Sequence, residues 1–198
     1  MIVQNTTGTY KPENDVYCSE LVVMKDNRYE VPEMATAYGY DFGAKQFFCE
    51  PIKPYISGDM VLFVKHGFIG QTVSGLVEKV GRVQYIDGCT DSLLVSPPRK
   101  GDPCLNSLHF PKETEQTMHT HPTVRLGTVV KGRGYAELKD QEIELNVGDA
   151  FIIEPHEEHR FVTTYEGMIV VAYHPDSDFG CTDEVHPMKN RTYINGRR

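Results

Sequence analysis

His119-Thr120-His121 sets two imidazoles at positions i and i+2. On an extended strand alternate residues share a face, so both rings can enter one cavity. Neutral imidazole is the commonest protein metal ligand. Two rings on one strand leave a coordination side open, which needs a third ligand from elsewhere. The pair alone is a weak signal. With eight histidines in 198 residues, chance supplies about 0.3 such pairs per chain, and two surface or internally satisfied histidines are the plain alternative. On such a strand Thr117 shares the face of His119 and is expected to line the cavity, whereas Gln116 points the other way.

The elements around this pair read as short strands. From Cys104 to Tyr173 apolar runs alternate with Gly, Pro, Asp and Asn, predicting strands at Leu105–Phe110, Gln116–His121, Leu126–Lys131, Gly134–Lys139, Glu142–Leu145, Ala150–Ile153, His159–Thr164 and Met168–Ala172. Lys131-Gly132-Arg133-Gly134 and Asn146-Val147-Gly148-Asp149 are turn signals between them. Such a series suggests an all-β sandwich or barrel rather than a βαβ sheet. Upstream, Cys18–Met24, Gln46–Cys49 and Met60–Lys65 are the clearest strand candidates, and no 3.6-residue apolar period persists over three turns. Asp87-Gly88-Cys89-Thr90-Asp91 reads as a turn, and Ser96–Pro103 as a rigid connector. Three segments follow: residues 1–100, residues 101–175, and a polar tail, 176–198.

Two stretches then become specific together. His119-Thr120-His121-Pro122 with Arg125 and Gly132-Arg133-Gly134-Tyr135-Ala136 resembles the first motif of the cupin superfamily. Gly148-Asp149-Ala150-Phe151-Ile152-Ile153-Glu154-Pro155-His156-Glu157-Glu158-His159-Arg160-Phe161 resembles the second. The resemblance covers about one third of the chain and does not single out a subfamily. It implies a double-stranded β-helix, the cupin jelly-roll barrel, in residues 101–175; residues 1–100 are either a degenerate first barrel or an N-terminal extension adding strands, and the extension is favoured because neither motif recurs there in order. It further implies that His159 joins His119 and His121 as the third ligand of one divalent transition metal, Fe2+ favoured, with Zn2+, Mn2+ or Ni2+ as alternatives. A homodimer is also what the resemblance implies.

The sequence departs from the motif where Arg125 stands in place of a carboxylate. A guanidinium stays protonated and has no lone pair to offer a metal. Three readings of Arg125 stand side by side: an anchor for a substrate carboxylate or phosphate in a three-histidine site; an outward residue, with Glu113 or Glu115 supplying the missing oxygen; or a salt-bridged structural residue. Glu113 also stands where the motif has a Gly, and His156 where a Gly follows the second-motif Pro.

Other polar residues are weighed against plainer roles. His156 is a candidate acid or base, with an exposed turn residue as its alternative. His109 reads as a core or edge histidine. Tyr135 and Phe161 fall where an aromatic wall would form, Tyr135 as a candidate substrate contact. The tail around His174-Pro175-Asp176 reads as a solvated or barrel-capping segment.

Composition bounds the function. A net charge of −8 and a pI near 5.5 oppose a general nucleic-acid surface, which needs clustered Lys and Arg. No apolar run approaches the roughly 18 residues of a membrane span, and the N-terminus lacks a secretory pattern, so the expected location is cytoplasmic. The five cysteines are scattered, without a C-x-x-C pair, and read as reduced thiols. The expectation is a metal-dependent cupin enzyme, an Fe(II) three-histidine dioxygenase acting on a small anionic substrate through Arg125, Thr117 and Tyr135. A metal-dependent isomerase or lyase, or a non-catalytic small-molecule-binding barrel, are the alternatives.

Overall fold

The computed structural model describes residues 1–51 and 53–196. Its strands in chain order are β1 (Ile2–Gln4), β2 (Gly8–Tyr10), β3 (Ser19–Tyr29), β4 (Ala35–Asp41), β5 (Gln46–Pro51), β6 (Ile56–His66), β7 (Val73–Leu76), β8 (Val83–Gln84) and β9 (Thr90–Val95). The series continues with β10 (Cys104–Phe110), β11 (Arg125–Gly132), β12 (Gly134–Leu138), β13 (Gln141–Leu145), β14 (Ala150–Ile153), β15 (His159–Val162) and β16 (Met168–His174). A 3-10 turn at Ile86–Gly88 and a single α turn, α1 (Pro187–Asn190), are the helical elements among the described residues. None of them is long and apolar enough to cross a membrane.

Three sheets result. A seven-stranded sheet runs β1-β14-β11-β16-β10-β9-β8, a three-stranded sheet runs β13-β12-β15, and a six-stranded sheet runs β2-β3-β6-β4-β5-β7. The seven-stranded sheet is the middle layer and is covered on both faces. This explains why β14 (AFII) and β16 (MIVVAYH) are continuous apolar runs rather than alternating ones. Along β14, Ala150 and Ile152 pack toward the N-terminal six-stranded sheet, while Phe151 and Ile153 pack into the barrel. Along β16, Val171 and Tyr173 go one way and Met168, Val170 and Ala172 the other.

The barrel closes between the seven-stranded sheet and the three-stranded one. Ala136 on β12, Leu145 on β13 and Phe161 on β15 meet Phe110, Val129 and Phe151 across the lumen. Burying one such Leu or Phe contributes about 1.5–3 kcal/mol. This is an all-β jelly-roll barrel with additional N-terminal strands. Of those, β1, β8 and β9 hydrogen-bond at the edges of the barrel's large sheet, and β2–β7 form a sheet of their own. In the latter, β3 and β6 pair along most of their length, with an irregularity between Met24 and Asn27.

The hairpin turn expected at Lys131–Gly134 joins β11 to β12. Gly132 there has φ 69°, and a Cβ on it would lie 1.8 Å from the Gly167 carbonyl oxygen. No other residue fits that corner. One expected strand is absent. Gln116–His121 runs as a loop, tied to β15 through isolated bridges of Glu115 with Val162 and His119 with His159. A left-handed residue, Glu113 at φ 59°, precedes it, and Pro122 follows. The segment around Asp87 is the 3-10 turn, and β9 begins directly after it. Beyond β16 the tail returns along the connector: Lys100 N–H donates to Cys181 O and Gly101 N–H to Ser177 O. The last two residues of the 176–198 tail, Arg197 and Arg198, lie outside the described residues.

Candidate metal centre

His119 and His159 face each other as an antiparallel pair, each N–H donating to the other's carbonyl oxygen at 3.0 Å. His121 is held by its own carbonyl oxygen, which accepts from His156 N–H at 2.7 Å. These main-chain ties bring the three rings together. The centroids are 4.6 Å apart for His119 and His159, 5.1 Å for His119 and His121, and 5.2 Å for His121 and His159. One ligand atom from each ring lies within 4.8 Å of the others.

The tautomers follow from chemistry. Nδ1 of His119 is 2.8 Å from Thr117 O, and Nδ1 of His159 is 2.8 Å from Glu157 O. A carbonyl oxygen only accepts, so each Nδ1 carries a proton, and in the neutral ring the lone pair is on Nε2. Nε2 of His159 is buried without a hydrogen-bond partner. Burial and then the Arg125 charge push His121 down to about 3, and burial and then His119 do the same to His159. Both rings are therefore neutral near pH 7. Three imidazoles, two of them with Nδ1 oriented by a backbone carbonyl, form a donor set suited to a divalent transition metal.

The rings line a cavity of about 60 Å³ together with Tyr85, Gln116 and Phe161. A wider vestibule of about 500 Å³ lies beside it, lined by Leu93, Asn106, Pro122, Asp176 and Phe179 among others. Asp91, Arg125 and His174 border both spaces. Arg125, at the start of β11, is 13% exposed. Its Nη1 donates to Thr123 O, Thr123 Oγ1 and Val124 O. Asp176 from the returning tail stands 3.9 Å away, itself accepting from Thr123 Oγ1 and from the Tyr17 hydroxyl. Nε of Arg125 has no partner, nor have Oδ1 of Asp91 and Oδ1 of Asn106. Burial raises the Asp91 carboxyl and lowers His174 well below the usual imidazole range, with Arg125 and His121 adding to the latter.

Several expected contacts fall elsewhere. Thr117 is exposed and binds Asp87 through its main-chain N–H. Without a regular strand there, its parity with His119 means nothing. For the same reason Gln116, expected to face away, is buried on the cavity wall, with Oε1 accepting from Phe161 N–H. Tyr135 neighbours the inward Ala136 on β12, so it faces out of the barrel, while Phe161 faces in. His156 is exposed at φ 62° in the turn before β15, away from the cavity. Glu113 is exposed and Glu115 pairs with Arg160, so neither supplies an oxygen to the three rings. His109 stands between the inward Leu108 and Phe110 on β10 and faces the other side.

Tyr85, Asp91, Asn106, Gln116 and His174 were not foreseen at this site. His174 carried a usable signal, since it shares strand parity with Ala172 and Val170. Asn106 shares the parity of Leu108 and Phe110 on β10 in the same way, whereas Tyr85 and Asp91 come from segments whose place beside the barrel follows only from the tertiary fold.

Residues 107–174 match the family model described as Cupin domain (Cupin_2). That match covers about a third of the chain and makes this segment a cupin domain. No curated protein sequence matches the chain. Among solved structures it is similar to a chain of the DMSP lyases RdDddP and RnDddQII (15% identity, TM-score 0.42, 48% of this chain and 50% of that one). It is similar also to the cupin 2 conserved barrel domain protein from Leptotrichia buccalis (14%, 0.46, 78% and 80%). The polyketide cyclase RemF from Streptomyces resistomycificus is a third (20%, 0.44, 55% and 88%). The chain spans half the length of the first of these. Likenesses this remote carry nothing about activity.

Proposed function

We propose that the barrel holds one divalent transition metal on His119, His121 and His159 and acts as a metal-dependent enzyme on a small anionic substrate. The observation that carries this reading is the buried, unpartnered Nε2 of His159, set against two further imidazoles whose ligand atoms lie within 4.8 Å. An apolar-walled cavity would not leave such an atom bare unless something completes it. When bound, the metal supplies Lewis acidity and up to three open coordination positions.

The chain's own residues supply the rest. Arg125 lines the cavity with its Nε unpartnered and binds the substrate's anion. Phe151, Ile153 and Phe161 exclude water from the cavity floor. The Thr117 and Glu157 carbonyls fix the outward tautomer of two ligands.

Within that class we favour an iron dioxygenase, because the three-ring cluster includes no carboxylate and leaves the site cationic. A metal-dependent lyase or isomerase is the second reading. It is favoured by Tyr85, Asp91 and His174 on the same wall, where they can hold or move a proton.

Metal analysis of protein purified without chelators tests the common part. One equivalent of a transition metal is expected, lost in His159→Ala. Oxygen uptake by the iron-loaded protein with small carboxylates separates the two readings. A lyase or isomerase would turn over without oxygen and with zinc or manganese in place of iron.

A further inference from the structure

We propose that the wall between cavity and vestibule is a binding site for a small amino carboxylate, its carboxylate on Arg125 and its ammonium between Asp91 and Asn106. This rests on the reading of Arg125 as the anion anchor and adds a second pole to the substrate.

Every hydrogen bond that Arg125 makes to Thr123 and Val124 leaves from Nη1, and Nε is buried with no partner. A planar guanidinium fixed from one end, with a free edge, is preorganised for a carboxylate. Further along the same sheet, on β10 and β9, the chemistry is the opposite one. Asp91 Oδ2 accepts from Asn106 Nδ2 at 2.8 Å, which leaves Asp91 Oδ1 and Asn106 Oδ1 both buried and unpartnered. The amide cannot be turned to relieve this, because its oxygen would then face a carboxylate oxygen. Asp91 has no ion-pair partner among the described residues, since Arg125 is paired with Asp176 instead.

Two adjacent acceptors, one of them charged, ask for a group with several N–H donors. An ammonium offers three, a hydroxyl one. Asp91 and Arg125 border both spaces, so a ligand held by the two would lie beside the three histidines.

The test is calorimetric titration of the metal-loaded protein with three probes sharing one carbon chain: pentanoate, L-norvaline and 5-aminopentanoate. At least one of the amino acids is expected to bind roughly tenfold tighter than pentanoate, the worth of hydrogen bonds to a buried charge. Norvaline and 5-aminopentanoate place the amine at opposite ends of the chain, so the tighter one reports the spacing. Asp91→Asn should erase that preference, bringing both amino acids to the affinity that pentanoate shows in the same variant. This separates the site from simple amine coordination to the metal, which would survive the substitution. Asn106→Leu, which keeps the carboxylate, should reduce the preference in part, and it serves if Asp91→Asn does not fold. Pentanoate bound as tightly as both amino acids overturns the amino-carboxylate site and spares the anion anchor. A preference that survives both substitutions does the same. Failure of all three probes to bind overturns the anion anchor and this site together.

Discussion

The two faces of the seven-stranded sheet are made by the same strands and do opposite things. Leu126, Ile152, Val171 and Tyr173 face the N-terminal sheet in a dense apolar layer. One residue away along the same strands, Arg125 and His174 face the cavity, next to His159 from the closing sheet. The hydroxyls of Ser19 and Tyr173 and Nδ1 of His109 lack partners on that side too, but the hydroxyls are neutral and burial lowers the His109 ring, so it is uncharged as well. On the cavity side the unpartnered atoms belong to a guanidinium, a carboxylate, an amide and an imidazole. A bare buried charge costs far more than a bare hydroxyl. The apolar face is finished by folding alone; the cavity face is left to be finished by a ligand.

Removing one ring should produce the largest difference between the faces. His159→Ala is expected to weaken metal affinity more than 100-fold, beyond the roughly 10–100-fold typical of losing an outer partner, as measured by competition with a chromogenic chelator. The same rings set the acid limit. In the metal-free fold His121 and His159 titrate at about 3, against about 6.5 when unfolded. Between these values the unfolded chain binds more protons, so stability is lost as pH falls from about 6.5 toward 3. Denaturant titrations across that window should show the loss, and His121→Ala with His159→Ala should flatten it. A metal-free protein equally stable at pH 7 and pH 4 would contradict the burial of two neutral rings.

On the other face the expected signature is reversed. Leu126→Ala leaves a void between the two sheets and should cost about 2–5 kcal/mol, with metal content per folded molecule unchanged. If metal is lost in proportion to stability, the two faces are not separable.

Gly127 sits between these extremes. A Cβ there would lie 2.3 Å from the ring of Phe151, which lines the cavity. Gly127→Ala should therefore cost about 1–3 kcal/mol by overpacking and narrow the cavity as well. A thermal melt combined with a metal titration would register both effects.

The two regions also differ in how much the sequence revealed. The barrel strands were legible because each run is bounded by turn residues, as at Lys131–Gly134 and Asn146–Asp149, and because both motifs fall on one barrel. The N-terminal sheet was legible only in part: the expected strands Cys18–Met24, Gln46–Cys49 and Met60–Lys65 fall on β3, β5 and β6, and its other strands were missed. β4, with its sequence ATAYGYD, alternates small and aromatic residues around a Gly and looks like a loop until β6 pairs along it. At the site, the three histidines could be read from spacing and resemblance, yet the strand expected beneath two of them is a loop. The parity that put His119 and His121 into one cavity came out as expected, but the placements of Gln116 and Thr117 drawn from the same parity went to the wrong side. Asp91 and Tyr85 gave no signal, since only the edge pairing of β9 and β10 carries them to the cavity.

His156 offers the smallest and most pointed contrast, since it follows Pro155 directly, three residues after the end of β14 and three before His159. A non-glycine residue at φ 62° is strained, and its exposed ring touches none of the cavity wall. Its N–H, which holds the His121 carbonyl at 2.7 Å, is a main-chain group that any residue but proline retains. His156→Gly should thus leave metal affinity and turnover where they are and change stability by less than about 1 kcal/mol, relief of the left-handed strain being offset by a freer unfolded chain. A large fall in turnover with metal content intact would bring this ring into the chemistry, and would mean that the turn before β15 closes over the cavity when substrate is bound.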